Sequence, residues 1–298
     1  RSPVILIAPL LLIFLKRKNI TFELIRNIYY VHFINSIEKK IRLKFTKNEY
    51  TNRAFEPKRT TRPIVWVYWG QGFENAPDIV KICLNQLMSY EEINLKILDD
   101  DNISDFVDFP QIVINKYRSG SISKAHYSDL LRLELLYNHG GIWVDSTVLI
   151  TSEFFPKYLM RNDLFFYGMR KPAKNGNPLY LSSWLMASPA KHQALGIVRN
   201  YLHDYWKEHN NLNDYFLFHC VLCATFNCLP DLLPKNFGFR DNSQPHILQL
   251  KFADKYCSTE YEEILALTSV HKLSYKYNDI NQGSYLEKIL KSWRYIIG

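Results

Sequence analysis

Glycine and proline are scarce in this 298-residue chain, at 11 and 13, too few for a collagen-like or low-complexity disordered protein. Cysteine is limited to five. The odd count, without a secretory cleavage pattern, argues against a disulfide framework and reads as reduced, cytosolic thiols. No apolar run reaches the roughly 20 residues that a bilayer-spanning helix needs. The longest, Val4 to Leu15, is interrupted by Pro9. A cleavable signal is equally out of place there, because Lys16-Arg17-Lys18 follow the apolar stretch, where a signal peptide has its charges in front. Acidic residues are thin at the start: through Arg62, four Glu stand against fourteen Lys and Arg. That segment carries +10 of a total of +8, so the remainder is slightly acidic, at −2. The basicity belongs to an arm, and a nucleic-acid-binding core is not implied.

What the chain does have is apolar mass. At 47 % hydrophobic residues it can bury one large core or two small ones, so one catalytic domain over residues 61–298 with a helical arm over residues 1–60 is expected. A second helical pattern spans residues 20 to 45, mixing Ile, Phe, Leu and Tyr with Arg26, Lys39, Lys40, Arg42 and Lys44. An apolar face with a basic flank is the composition of an interfacial membrane helix, held by burial and by attraction to anionic lipid. The two helices could instead pack on the core or form a dimer contact, and these fates can coexist. The membrane-interfacial arm is the preferred reading, with a homo-oligomer left open. Because the chain opens on Arg1, further sequence ahead of it is expected.

From Thr60 the composition changes. Ile64 to Trp69 is a continuous apolar run ending at Gly70-Gln71-Gly72, a buried strand followed by a turn. An apolar helix around Ile79 to Met88 and a short strand from Asn94 to Leu98 follow; that order predicts a parallel α/β sheet. The run Asp99-Asp100-Asp101 could bind Mg or Mn, but ahead of Ile103 it reads better as a helix N-cap. Residues 107 to 123 look like a connection.

The stretch from Lys124 to Thr151 is the organising element. Apolar residues at 130, 131, 133, 135 and 136 make a broad helix stripe that His139-Gly140-Gly141 ends as a glycine C-cap does. Ile142-Trp143-Val144 then reads as a buried strand delivering Asp145, Ser146 and Thr147 to its carboxyl end, where open α/β sheets hold their ligands. Asp129 and Arg132, three apart, share one helix face. Further on, Leu164 to Gly168 and Leu181 to Ser188 read as strands around a polar loop, Arg170 to Pro178, long enough to cover a site. A helix spans about His192 to His209. His219-Cys220, Cys223 and Cys228 invite a zinc reading, but no turn separates the cysteines, and an apolar face at 216, 217, 220, 221 and 224 makes them core thiols on a helix. Tyr285 to Ile297 is an amphipathic helix, a second candidate for interfacial contact.

Two patterns, Ser128-Asp129-Leu130-Leu131-Arg132 and Gly140-Gly141-Ile142-Trp143-Val144-Asp145-Ser146-Thr147, resemble the S-D-x-x-R and G-G-x-[YW]-x-D-x-[DT] signature of retaining GT-A glycosyltransferases. The likeness is to the capsular polysaccharide synthesis family, with relatives among the clostridial glucosylating toxins, and runs from about Ile64 to Lys276. It implies a Rossmann-like, mostly parallel central sheet flanked by helices. It implies further that Tyr68 and Trp69 pack on uracil, and that Ser183 and Trp184 face the sugar or acceptor. Asp214, opening a D-Y-F-L-x-H element, would contact the donor sugar. Of the closing Thr268 to Ser274 motif, His271 would complete the shell of a Mn or Mg ion held by Asp145 and Thr147, and Lys272 would bind diphosphate.

The chemistry implied is glycosyl transfer, in which charge develops on a departing diphosphate while the sugar ring becomes oxocarbenium-like. Asp129 and Arg132 would clamp the hexose hydroxyls. Thr147 stands where most such enzymes carry a second carboxylate, and a neutral hydroxyl is a poorer ligand for a hard cation. Ser146 would face the sugar and influence the choice of epimer. The resulting expectation is a retaining hexosyltransferase using UDP-galactose or UDP-glucose to extend a polyprenyl-diphosphate-linked glycan. It would sit at the cytoplasmic face of a bacterial membrane, in capsule synthesis. The alternatives are a sugar phosphotransferase of capsule assembly and a non-catalytic scaffold.

Overall fold

The computed structural model describes residues 3–14, 20–46, 62–161, 163–169, 177–277 and 280–297. The basic triplet at 16–18, the end of the arm at 47–60 and most of the loop expected over 170–178 lie outside the described residues.

Two helices come first, α1 (Pro3–Phe14) and α2 (Ile20–Thr46). The sheet elements then alternate with helices: β1 (Ile64–Tyr68), α3 (Asp78–Met88), β2 (Asn94–Leu98), α4 (Gln111–Arg118), α5 (Lys124–His139), β3 (Gly141–Val144) and β4 (Val148–Ile150). They continue with β5 (Phe165–Gly168), β6 (Leu181–Ser188), α6 (Gln193–Glu208), α7 (Leu217–Cys228), α8 (Ser243–Leu250), α9 (Ser258–Leu267), β7 (Val270–Lys272) and α10 (Tyr285–Ile297). The stretch read as a connection over 107 to 123 thus contains α4, whose short run has Val113 and Lys116 buried.

The central sheet runs β2-β1-β3-β6-β5. Strand β1 is parallel to both β2 and β3, whereas β6 is antiparallel to both β3 and β5. The sheet is therefore mixed: β2, β1, β3 and β5 run in one direction, and β6 is the one strand that interrupts the mostly parallel arrangement expected. A parallel return needs a crossover of a dozen or more residues, usually a helix. The segment joining β5 to β6, with Pro172, Gly176 and Pro178, has no helical pattern, so β6 comes back antiparallel. Its residues are buried along its whole length.

Helix α2 has two different faces. Tyr30, Ile34, Ile37 and Ile41 recur at helical spacing and are buried in the main core cluster against α7, with Tyr29 and Phe33 beside them. Ile20, Leu24, Ile28 and Val31 of the same helix, and Leu6, Ile7, Leu10, Leu11 and Ile13 of α1, remain exposed. Among the described residues no helix is long and apolar enough to cross a membrane. At the other end of the chain, α10 lays Tyr285, Leu286, Ile289 and Leu290 against Ile79, Ile82 and Cys83 of α3. The side chains of residues 292–297, where the rest of its expected interfacial face falls, lie outside the described residues.

Candidate functional site

Helix α5 begins where the Ser123 hydroxyl accepts the amide of His126 at 3.2 Å, and ends at two glycines with left-handed backbone, Gly140 (φ 69°) and Gly141 (φ 97°). A Cβ on Gly141 would stand 2.4 Å from the carbonyl oxygen of Ile64, so only glycine lets β3 pair this closely with β1. The strand then carries Trp143 and Asp145 to the end of the sheet, where Asp145 donates its amide to the carbonyl of Trp184 at 2.8 Å.

A cavity of about 850 Å³ opens at the carboxyl ends of β1 and β3. Tyr68, Trp69, Asp129, Arg132, Asp145, Ser146, Thr147, Ser183, Trp184 and Lys272 all line it, the position expected of a ligand in an open α/β sheet. Arg132, buried on α5, is its hub. One terminal nitrogen donates to the carbonyl (2.7 Å) and hydroxyl (2.6 Å) of Ser183; the other lies 3.2 Å from Asp145 Oδ1 and 3.5 Å from Asp129 Oδ1. The guanidinium carbon rests 5.0 Å from the centre of the Trp143 ring, and Trp143 itself donates to Asp145 Oδ1 at 2.9 Å. Burial alone would push the Asp129 carboxyl up, but Arg132 and His126 prevail and hold it below the usual carboxylate value. Asp129 is thus an anion at neutral pH.

The side ladder of β4 and β7 supplies the opposite charge. Val148 is in register with Lys272, and the amide of Leu273 donates to the carbonyl of Thr147 at 2.9 Å. The Lys272 ammonium consequently donates to Thr147 Oγ1 at 2.5 Å and lies 3.4 Å from Asp145 Oδ2.

The aromatic wall is stiffened from behind. Tyr68 donates its hydroxyl to Asp100 at 2.5 Å, which gives one residue of the aspartate run a supporting role; Asp99 accepts the amides of Asp101 and Asn102 in a local turn, and the helical turn over Ile103–Asp105 starts at Asn102 without a side-chain cap, so the expected aspartate N-cap is not formed. Trp184 stacks on Tyr167 with ring centres 4.7 Å apart and donates to Asn242 at 2.6 Å. Trp69 meets Tyr275 edge to face at 5.1 Å.

Two expected residues are not brought to the cavity. His271 is fully buried; strand alternation turns it away from the side that Lys272 faces, its Nε2 lies 3.2 Å from Thr151 Oγ1, and desolvation pushes its imidazole down to about 4. Asp214 faces α2 instead: its carboxylate accepts the amide of Phe216 at 2.7 Å and the hydroxyl of Tyr30 at 3.4 Å, and burial holds its carboxyl above the ordinary value. Its neighbours Tyr215, Phe216 and His219 line the cavity in its place. The expected metal set of Asp145, Thr147 and His271 is therefore not assembled, and no cluster of three or more His, Cys, Asp or Glu suited to a metal ion exists among the described residues.

Sequence reasoning missed His219, His246 and Asn242. Arg132 has no acceptor atom, so the Ser183 hydroxyl accepts from it, and the same hydroxyl is hydrogen-bonded to His219 Nε2 at 3.0 Å. Desolvation pushes that imidazole down to about 4, leaving it neutral. The position of His219 in Asp214-Tyr215-Phe216-Leu217-Phe218-His219 was a usable signal. His246, whose Nδ1 donates to the carbonyl of Asn242 at 2.7 Å, had none.

Similarity to known proteins enters against this geometry. The chain is 33 % identical over 92 residues to the O-glycosyltransferase braB of Annulohypoxylon truncatum, covering 28 % of this chain and 22 % of that protein. It is 27 % identical over 96 residues to the glycosyltransferase afumC of Aspergillus fumigatus, covering 29 % and 25 %. The matches thus span about a quarter of the length of these curated relatives. Among solved structures, the apo-form glycosyltransferase GlyE of Streptococcus pneumoniae TIGR4 aligns with a TM-score of 0.41 at 14 % identity, over 80 % of this chain and 64 % of that one. The PaToxG glycosyltransferase aligns with a TM-score of 0.39 at 16 % identity, over 91 % and 96 %. The family model for capsular polysaccharide synthesis proteins matches residues 15–289, nearly the whole chain, which therefore belongs to the capsular polysaccharide synthesis protein family.

Proposed function

We propose that this chain is a retaining hexosyltransferase that moves galactose or glucose from a UDP-sugar to a polyprenyl-diphosphate-linked glycan during capsular polysaccharide synthesis. The observation that carries the reading is the convergence of Asp129, Arg132 and Asp145 around one cavity with Lys272 beside them. Residues 61–298 form the catalytic domain. Residues 1–60 serve as the arm that docks peripherally on the cytoplasmic face of the membrane, supported by the exposed apolar faces of α1 and α2. Flotation with anionic liposomes tests that docking; a chain that stays at the bottom of the gradient counts against it.

In the reaction, the bond between the anomeric carbon and the diphosphate oxygen breaks with its electron pair leaving on the diphosphate. The acceptor hydroxyl attacks the same face and passes its proton to the departing phosphate oxygen, which retains the anomeric configuration. Lys272 offsets the charge growing on the diphosphate. Asp129 accepts from the hexose hydroxyls, while Arg132, fixed by Ser183 and Trp143, orients them without moving. Tyr68 and Trp69 hold the uracil, and Ser146, Ser183 and Trp184 bound the sugar.

The test is transfer from UDP-galactose and UDP-glucose to a lipid-linked acceptor, read by product mass. A hexose increment supports the reading, and a phosphate increment would instead favour a phosphotransferase. Asp145→Asn should lower transfer about a hundred-fold or more, the scale for losing a charged, preorganised group at a reacting centre; unchanged transfer would remove Asp145 from the site.

A further inference from the structure

We infer that the Lys272 ammonium occupies the position a divalent cation would take, so that this protein binds the diphosphate of its donor without a metal. The inference rests on the nucleotide-sugar reading above and departs from the Mn or Mg dependence that the sequence pattern led one to expect.

Both side chains that the Asp145-Ser146-Thr147 pattern offers to a cation are already turned to one ammonium. Thr147 Oγ1 accepts from Lys272 Nζ at 2.5 Å, and Asp145 Oδ2 lies 3.4 Å from the same nitrogen. The other carboxylate oxygen, Oδ1, takes the Trp143 N–H at 2.9 Å and Arg132 at 3.2 Å. Three of the roughly four lone-pair sites of Asp145 are therefore directed at donors already in place, two of them cationic, whereas Mg or Mn needs several hard oxygen ligands and prefers carboxylates. The one other carboxylate lining the cavity among the described residues, Asp129, is engaged by Arg132 at 3.5 Å and faces His126 at 3.5 Å. His271, one residue from Lys272, is buried on the far side of its strand.

The charge balance agrees. Among the described residues the cavity lining carries Lys124, Arg132, Lys272 and Lys276 against Asp129 and Asp145, an excess of two positive charges. A nucleoside-diphosphate sugar brings one negative charge on each of its two phosphates, which balances that excess. Nor is Lys272 a wandering surface lysine. Its backbone is held in the β4 and β7 ladder, and the Leu273 amide is bonded to the carbonyl of Thr147.

Calorimetric titration of the full chain with UDP, in EDTA and then in Mn, tests this, together with the electron-spin signal of free Mn in the presence of the protein alone. The expected result is the same Kd in both buffers and a free-Mn signal that the protein does not diminish. Lys272→Met, with folding checked by circular dichroism, should weaken UDP binding about ten- to a hundred-fold, the scale of a charge-assisted hydrogen bond, and Mn should not restore it. UDP binding that appears only with Mn, or a wild-type chain that removes Mn from solution, overturns the inference while leaving the transferase reading in place. If UDP binds in neither buffer, the transferase reading falls, and the inference with it.

Discussion

Arg132 shows why a guanidinium, and not any cation, stands at this position. Its donors reach Ser183, Asp145 and the Ser128 carbonyl in three directions while its flat face lies over Trp143. An ammonium is a point charge without that fork. Arg132→Lys should keep the fold, because a cation still faces the two carboxylates, yet lower kcat/KM for the UDP-sugar about ten- to a hundred-fold. Loss of folding in place of activity, seen by circular dichroism, would show that the guanidinium is mainly a structural clamp. The buried histidines set a pH limit of their own. His219 and His271 are both lowered from 6.5 to about 4, so between those values the unfolded chain binds protons that the folded one refuses. Their contribution is complete above 6.5 and is lost as pH falls toward 4, at about 1.4 kcal/mol per pH unit for each residue. Urea midpoints measured across that window should fall steadily, and His271→Gln should flatten the fall; a midpoint insensitive to pH would show that neither ring is neutral when folded.

At the scale of elements, the unit that matters is α5, the Gly140-Gly141 turn and β3, since it fixes how far Asp145 projects relative to Arg132. Gly141→Ala would force a Cβ to within 2.4 Å of the Ile64 carbonyl at φ 97°, adding about 1–3 kcal/mol of backbone strain and pushing β3 away from β1. The variant should lose stability by at least that amount in chemical denaturation and lose transfer activity beyond what instability explains. Full activity in a folded variant would mean that the turn does not position Asp145. This unit was legible in the chain because its determinants are local: a helical stripe, two glycines, a short apolar strand. Helix α4 was not, since its brief pattern has few apolar positions and is stabilised by packing on α6. The antiparallel direction of β6 was equally hidden, being set by what precedes the strand. At the site, the convergence of Asp129, Arg132 and Asp145 followed from spacing, whereas His271 and Lys272 could not be told apart by a motif. Strand alternation decides which of two neighbours faces the cavity, and that depends on the register of β4 with β7.

For the molecule as a whole, the dual character of α2 has a practical consequence. One stripe carries the exposed apolar residues on which the proposed lipid docking rests, and the stripe beside it inserts Ile34, Ile37 and Ile41 into the main core against α7. The same α7 begins at the cavity wall, where Tyr30 of α2 braces Asp214 beside Tyr215 and Phe216. Trimming the chain back to residue 61 in search of a better-behaved protein would thus strip a beam from the building. The shortened form should precipitate or expose dye-binding surface, since each large apolar side chain lost from such a contact costs about 2–5 kcal/mol, and detergent would not rescue it. Handling problems with the full-length form are better met by exchanging Leu24 or Ile28 for polar residues, which leaves the buried side of the helix untouched.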